Sequence, residues 1–165
     1  MSKKINTKLS KLIKYYNLIN YNLIFNNKEI FRYKKKELAP ESAIEKSLNN
    51  LSREISEIRG CKLKDNASKQ VFSDGNSKSK IMIIGEGPGA NEDKEGLPFV
   101  GRAGQLLDKM LDAINLNRSN VYITNVVNYR PPENRKPTDQ EVKRYLPFLK
   151  KHISIIRPKI ILLLG

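Results

Sequence analysis

A chain of 165 residues, 39% of them hydrophobic, can bury the core of one compact domain and is too short for two. Lysine and arginine outnumber aspartate and glutamate by 31 to 17, which gives a net charge of +14. That charge favours nucleic acid as the partner, although abundant Lys, Asn and Ile are also what AT-rich codons produce, whatever the protein binds. The single cysteine, Cys61, excludes an intramolecular disulfide and any metal or iron–sulfur site held by several cysteines of this chain. We therefore expect a reducing compartment, the cytoplasm.

Residues 1–40 are predicted to be a basic extension, helical in part. The first 37 residues carry ten Lys and Arg against Glu29 and Glu37, with four tyrosines among them. Basic residues interleaved with aromatic rings can bind single-stranded nucleic acid through backbone attraction and base stacking. Apolar spacing instead predicts an amphipathic helix, with its stripe at Leu9, Leu12, Ile13 and Tyr16. Polar residues interrupt the apolar stretch 9–25, so neither a signal peptide nor a membrane-spanning helix is predicted.

Residues 41–165 are predicted to form an α/β domain. Apolar residues recur at intervals of three and four after Ser42, which predicts a helix packed on the core: Ile44, Leu48, Leu51, Ile55 and Ile58. The polar stretch 60–79 reads as a hairpin or a linker, because it holds the turn signal Asp74-Gly75. Strands at 81–84, 121–127 and 160–164 then alternate with helices at 103–114 and 139–155. This alternation predicts a three-layer αβα fold with a central, mostly parallel sheet and a site at the carboxyl ends of its strands.

The first loop at that edge, residues 85–101, is rich in glycine. Backbone NH groups around Gly87 can approach a phosphate or a carbonyl oxygen closely. The spacing matches neither a dinucleotide-binding loop nor a Walker loop, which disfavours a nucleotide cofactor. Phe99, held between glycines, is either a plug into the core or a ring offered to a base.

The second loop, residues 125–135, begins where a predicted strand ends. The side-chain amide of Asn125 offers one donor and one acceptor, which suits the edge of a base; it can equally cap a turn. Pro131 and Pro132 stiffen the same loop.

Three motifs follow one another in this part of the chain: Gly85-Glu-Gly-Pro-Gly-Ala-Asn-Glu-Asp, Gly96-Leu-Pro-Phe-Val-Gly-Arg-Ala-Gly-Gln-Leu-Leu, and Tyr122-Ile-Thr-Asn followed by Arg130-Pro-Pro-Glu-Asn-Arg. In this order and spacing they resemble family 4 uracil-DNA glycosylases, and the resemblance covers residues 61–165. It implies that uracil is excised from DNA: the nucleotide flips out of the stack into a pocket, and its glycosidic bond is hydrolysed.

The resemblance also implies a role for each matched residue. Phe99 takes the place of the ring that stacks on the flipped uracil, and Asn125 that of the amide that reads its edge. Glu86 and Glu92 match acidic positions from which a carboxylate orients water or stabilises positive charge on the sugar, unless they are simply exposed. The last motif completes the set, with Asn134 at its asparagine and with Arg130 and Arg135 placed to touch DNA phosphates.

The chain departs from the family at its iron–sulfur positions. Family 4 members typically hold a four-iron cluster on four cysteines, of which only Cys61 is present here. The other positions fall at Ile58, Tyr129 and Tyr145, which cannot ligate such a cluster. We expect no metal and no cofactor, and we expect these side chains to fill the same volume.

The second departure concerns a His-Pro-Ser segment that the family carries beyond the position of Gly165. The one histidine of this chain, His152, lies late in a predicted helix and is expected to be an ordinary helix residue, near an end where a cation is mildly favoured. We therefore expect a domain truncated at its carboxyl end, with the segment lost or supplied by a separate polypeptide. Two functions stay open: a uracil-DNA glycosylase acting on uracil-containing DNA, and a DNA-binding remnant without chemistry. A flavodoxin-like nucleotide binder is disfavoured by the loop spacing.

Overall fold

The structure, a computed structural model, describes residues 41–164. Its helices are α1 (Glu41–Ser56), α2 (Lys62–Asn66), α3 (Ala90–Glu95), α4 (Arg102–Asp112) and α5 (Asp139–Ile156). Its strands are β1 (Ser73–Gly75), β2 (Ile81–Gly85), β3 (Tyr122–Asn125) and β4 (Ile160–Leu163). The basic extension at 1–40, with the helix or single-strand-binding segment predicted in it, lies outside the described residues.

The four strands form one sheet in the order β1-β3-β2-β4. Strand β2 is central and runs parallel to both β3 and β4, whereas β1 pairs antiparallel with β3. Parallel strands require crossover connections, which α4 provides between β2 and β3 and α5 between β3 and β4. The mostly parallel sheet predicted from the sequence is confirmed.

Helices cover the sheet on both faces, because neighbouring residues of a strand point to opposite sides. On one face Ile83 and Ile123 pack against Leu107 and Leu111 of α4. On the other face the buried residues come from β2, β3, α1 and α5: Met82, Ile84, Tyr122, Leu48 and Ile156. The predicted three-layer αβα architecture is therefore present.

The predicted helices and strands of residues 81–164 begin and end within three residues of the observed ones. The predicted α1 stripe is also confirmed, since Leu48, Leu51 and Ile55 are buried. Ile58 packs against the core although it lies two residues beyond the end of the helix.

Residues 60–79 differ from the predicted hairpin or linker. They contain the short helix α2, which buries Leu63, and the strand β1, whose partner β3 is distant in sequence. The amide of Val71 donates to the Asn128 carbonyl (2.8 Å), and the Asn128 side chain returns a bond to the Val71 carbonyl (3.1 Å). Pairing over such a distance leaves no local signal, which is why the sequence pattern did not show it.

His152 lies in the helix as predicted, but it is not at a position where a cation is favoured. It is buried, its Nε2 lies 2.7 Å from the Tyr122 hydroxyl, and its ring stacks on Phe72. Burial lowers the pKa of His152 to about 4, so the neutral ring is the stable form. Among the described residues no helix is long and apolar enough to span a membrane.

Candidate functional site

The pocket begins where β2 and β3 end side by side. Gly85 of β2 is in register with Asn125 of β3, whose side chain is buried. A Cβ on Gly85 would lie 2.4 Å from the Asn125 Oδ1 atom and 2.6 Å from the Phe99 ring. The glycine thus brings the amide and the ring together, since any side chain at position 85 would push them apart.

A cavity of about 350 Å³ opens at this place. Five of the residues predicted from the sequence line it: Gly87, Glu92, Phe99, Asn125 and Asn134. The volume lies within the range typical of small-molecule sites. Asn91 and Arg102 also line the cavity and were not singled out from the sequence, although both lie inside the quoted motifs.

Glu92 lies on α3 and is bonded to backbone on both sides of the pocket. One carboxylate oxygen accepts from the amides of Val100 (2.9 Å) and Gly101 (2.7 Å), and the other accepts from the amide of Gly89 (3.1 Å). Hydrogen bonds to a charged acceptor are about twice as strong as neutral ones. The carboxylate therefore ties the glycine-rich loop to the loop that carries Phe99.

Glu86 occupies a different environment from Glu92. Its side chain is exposed, and it is not among the residues that line the cavity. Its carbonyl accepts from the Val127 amide (3.2 Å), which continues the β2–β3 pairing past Asn125. The two carboxylates, to which the sequence assigned the same alternative roles, thus lie in different environments.

The Arg-Pro-Pro loop delivers Asn134 to the cavity. Glu133 and Asn134 both have left-handed backbone, with φ of 56° and 57°. The Asn134 Oδ1 atom accepts from the Nε of Arg130 at 2.8 Å, which leaves the amide nitrogen as the free end of that side chain. Arg130 therefore orients an asparagine of the pocket.

Arg135 forms an ion pair with Glu141 of α5. Its guanidinium binds both carboxylate oxygens of Glu141 at 2.8 and 2.7 Å. The Glu141 carboxylate also accepts from the Thr138 amide at the start of α5 (2.7 Å). The hydrogen bond from Arg135, aided by those from Thr138, lowers the pKa of Glu141 to about 2.

The four positions that correspond to the family's cluster ligands lie together. Cys61, Tyr129 and Tyr145 belong to one buried core, and Ile58 packs against it. The Cys61 Sγ and Tyr145 Oη atoms are 3.2 Å apart, a hydrogen-bonded pair. Burial, followed by the thiol, raises the pKa of Tyr145. One thiol, two phenols and an aliphatic side chain do not fit an iron–sulfur cluster, which needs four thiolates.

Comparison with known proteins identifies the family of the chain. Residues 72–165 match the family model of the Uracil DNA glycosylase superfamily. The chain belongs to that superfamily.

Its similar relatives include proteins named Type-4 uracil-DNA glycosylase. The one from Archaeoglobus fulgidus is 46% identical over 72% of this chain and 60% of its own length. The one from Sulfurisphaera tokodaii is 47% identical over 72% of this chain and 54% of its own length. The one from Saccharolobus solfataricus is 46% identical over 72% of this chain and 56% of its own length. The chain thus spans between half and two thirds of the length of these curated relatives.

Proposed function

We propose that this protein excises uracil from DNA by hydrolysing the bond between the base and the sugar. The observation that carries the proposal is the meeting of the Phe99 ring and the Asn125 amide in one cavity at the ends of two parallel strands. The names of its Type-4 relatives support the same reaction and substrate. The basic charge of +14 suits a polyanionic partner.

In the proposed complex the flipped uracil stacks on Phe99. Uracil presents an acceptor and a donor side by side, which the donor and acceptor of the Asn125 amide can match. The Gly87 amide and the free amide end of Asn134 supply further donors around the base. Asn125 is almost fully buried, so an analogue that leaves its amide unpaired would be rejected.

In the proposed reaction a water oxygen bonds to the sugar C1′ as the bond from C1′ to the base nitrogen breaks. The electron pair of that bond leaves with uracil, and the water proton passes to a carboxylate. Glu86 is accessible to such a water because its side chain is exposed. Glu92 contributes negative charge near the sugar while it holds the two loops.

The DNA backbone is proposed to follow the Arg-Pro-Pro loop and the basic residues 1–40. Arg130 and Arg135 supply the charge of the loop, and each already binds a neighbouring side chain, which fixes its position. Contacts of this kind weaken as salt rises. If the extension contacts the DNA backbone, we expect the affinity for DNA to depend less on salt when the lysines of residues 1–40 are replaced by glutamine.

We propose that the folded protein works without an iron–sulfur cluster. Cys61 is hydrogen-bonded to Tyr145, and Tyr129 packs in the same buried core. These contacts are proposed to stabilise the core in place of the cluster. Iron analysis of protein purified without oxygen tests this proposal: we expect no iron, and iron in cluster stoichiometry would contradict it. A buried free thiol also suits a reducing compartment such as the cytoplasm.

A second candidate is a DNA-binding protein without chemistry. It is favoured by the position of Glu86, which does not line the cavity, and by the burial of the one histidine, His152, against Tyr122. In this case DNA binding would fall with salt and no base would be released.

A labelled oligonucleotide with one uracil separates the two candidates. Purified full-length protein is incubated with it, abasic sites are cleaved with alkali, and the products are resolved on a denaturing gel. The control is the double variant Glu86→Ala, Asn125→Ala. We expect cleavage at the uracil above this control; binding without cleavage by folded protein would establish the second candidate.

A further inference from the structure

Phe99 has a backbone conformation that must be held in place. Its φ is +56°, the left-handed region, which costs a residue with a Cβ roughly 1 kcal/mol or more. Phe99 also lies against the start of α4, where a Cβ on Gly104 would be 1.6 Å from the Phe99 carbonyl oxygen. The ring therefore depends on contacts that fix this one turn of the chain.

One of these contacts comes from Arg118, which lies in a short 3₁₀ turn before β3. Its Nη1 atom donates to the Pro98 carbonyl (3.1 Å), and its Nη2 atom donates to the Phe99 carbonyl. Glu92 binds the same turn from the other side, through the amides of Val100 and Gly101. The peptide group after Phe99 is thus held at its oxygen by a cation and at its nitrogen by an anion.

Arg118 is itself fixed by two carboxylates. Its Nη1 donates to Asp74 of β1 (2.7 Å), and its Nε and Nη2 donate to Asp108 of α4 (2.8 and 3.3 Å). With the two carbonyls, all five N–H donors of the guanidinium have acceptors. Burial alone would lower the pKa of Arg118, but hydrogen bonds and charge from Asp108 and Asp74 raise it. A lysine ammonium has three donors and cannot reproduce this set.

We propose that Arg118 is a positioning residue that sets the Phe99 ring over the base pocket by clamping the peptide groups on either side of it. The inference rests on the proposed function for the role of the ring, whereas the clamp itself can be tested without any reaction. Arg118 is not one of the residues lining the cavity, so it acts through Phe99 and not on the base.

The chain offers a matched control in Arg144. Its guanidinium also donates to two consecutive backbone carbonyls, those of Arg59 and Gly60, in a loop that does not line the pocket. Arg144→Met and Arg118→Met therefore remove the same kind of contact from two different loops. Arg118→Lys keeps the charge and serves if Arg118→Met does not fold, as judged by circular dichroism and cooperative unfolding.

The first measurement is amide hydrogen exchange on the free, full-length proteins. We expect the amides of Val100 and Gly101 to exchange at least about tenfold faster in Arg118→Met or Arg118→Lys, because the turn opens more often. Arg144→Met leaves them unchanged. Equal exchange in the wild type and both Arg118 variants would overturn the clamp, whether or not the protein releases uracil.

The second measurement is the single-turnover rate of uracil release in a double-mutant cycle with Phe99→Ala. With Phe99 present, Arg118→Met is expected to slow uracil release by about tenfold to a hundredfold, because small misplacements of a positioning group have effects of that size. In the Phe99→Ala background it has no further effect, since the ring it positions is gone. If the rate losses of the two single variants multiply in the double variant, the role of Arg118 is merely structural and the proposal is overturned. A wild type that releases no uracil would refute the proposed function alone, and the exchange result would still decide the clamp.

Discussion

The loop around Phe99 and the core around Cys61 are stabilised by different kinds of interaction. Charged groups that bond to backbone, Glu92 and Arg118, fix the loop. The core is fixed by buried packing and one thiol–phenol pair, between Cys61 and Tyr145. Packing contributes mainly to stability, whereas directional bonds at a pocket contribute mainly to geometry. Substitutions in the core should therefore lower the free energy of unfolding, and substitutions at the pocket should lower the rate of uracil release.

The largest expected effect is on stability, at Tyr145. Tyr145→Ala removes a fully buried ring, and we expect the free energy of unfolding in urea to fall by about 3 to 5 kcal/mol. Tyr145→Phe keeps the ring and loses only the bond to Cys61, so its loss should be about 1 kcal/mol. Equal losses for the two variants would mean that the hydrogen bond, and not the packing, holds this core.

The next effect is on rate, at Asn125. Asn125→Ala should slow uracil release by about a hundredfold, because the buried amide is the proposed reader of the base. Asn128→Ala is the matched control: it removes another buried asparagine, which bonds to the Val71 carbonyl away from the cavity. We expect it to reduce stability and to keep the single-turnover rate of the folded protein. A similar loss of rate in both variants would remove Asn125 from its assigned role.

A third effect concerns pH and His152. Its folded pKa of about 4 lies below the unfolded value near 6.5, so the unfolded chain binds the proton more readily between these limits. The native state should therefore lose stability as pH falls from 6.5 towards 4, by roughly 2 kcal/mol at pH 5. Urea unfolding of the wild type and of His152→Gln at pH 7 and pH 5 measures this loss of stability. An equal decrease in both proteins would assign the pH dependence to other groups.

The smallest effect is expected at Arg135. Arg135→Ala breaks an ion pair with Glu141 at the surface and should change stability little, because solvent screens such pairs. If Arg135 contacts a phosphate, the same change lowers the slope of log affinity against log salt for a DNA oligonucleotide by about one. Glu141→Gln breaks the pair but keeps the arginine, so its slope should match the wild type. An unchanged slope in Arg135→Ala would place the DNA elsewhere.

The same contrast explains what the sequence could predict. The alternation of strands and helices after residue 80 and the stripe Leu48, Leu51 and Ile55 are periodic, and their positions were predicted closely. Short elements without a period, such as α2 and β1, were missed because tertiary contacts form them. The burial of His152 likewise depends on Tyr122 and Phe72, which are distant in sequence.

At the site, the motifs predicted the lining residues Phe99, Asn125 and Asn134. They did not distinguish Glu92, which bonds to backbone, from Glu86, which is exposed. Arg118 gave no signal at all, because its importance comes from acceptors on three separate segments. The catalytic assignments of the two glutamates stay predictions.

The reaction proposed for this protein is hydrolysis of the bond between uracil and deoxyribose. The most direct measurement is mass spectrometry of both products after reaction in water enriched in heavy oxygen, with Asn125→Ala as the control. We expect free unlabelled uracil and an abasic strand that carries one heavy oxygen at C1′, in amounts that fall strongly in the variant. Intact oligonucleotide after incubation with folded, DNA-binding protein would contradict it.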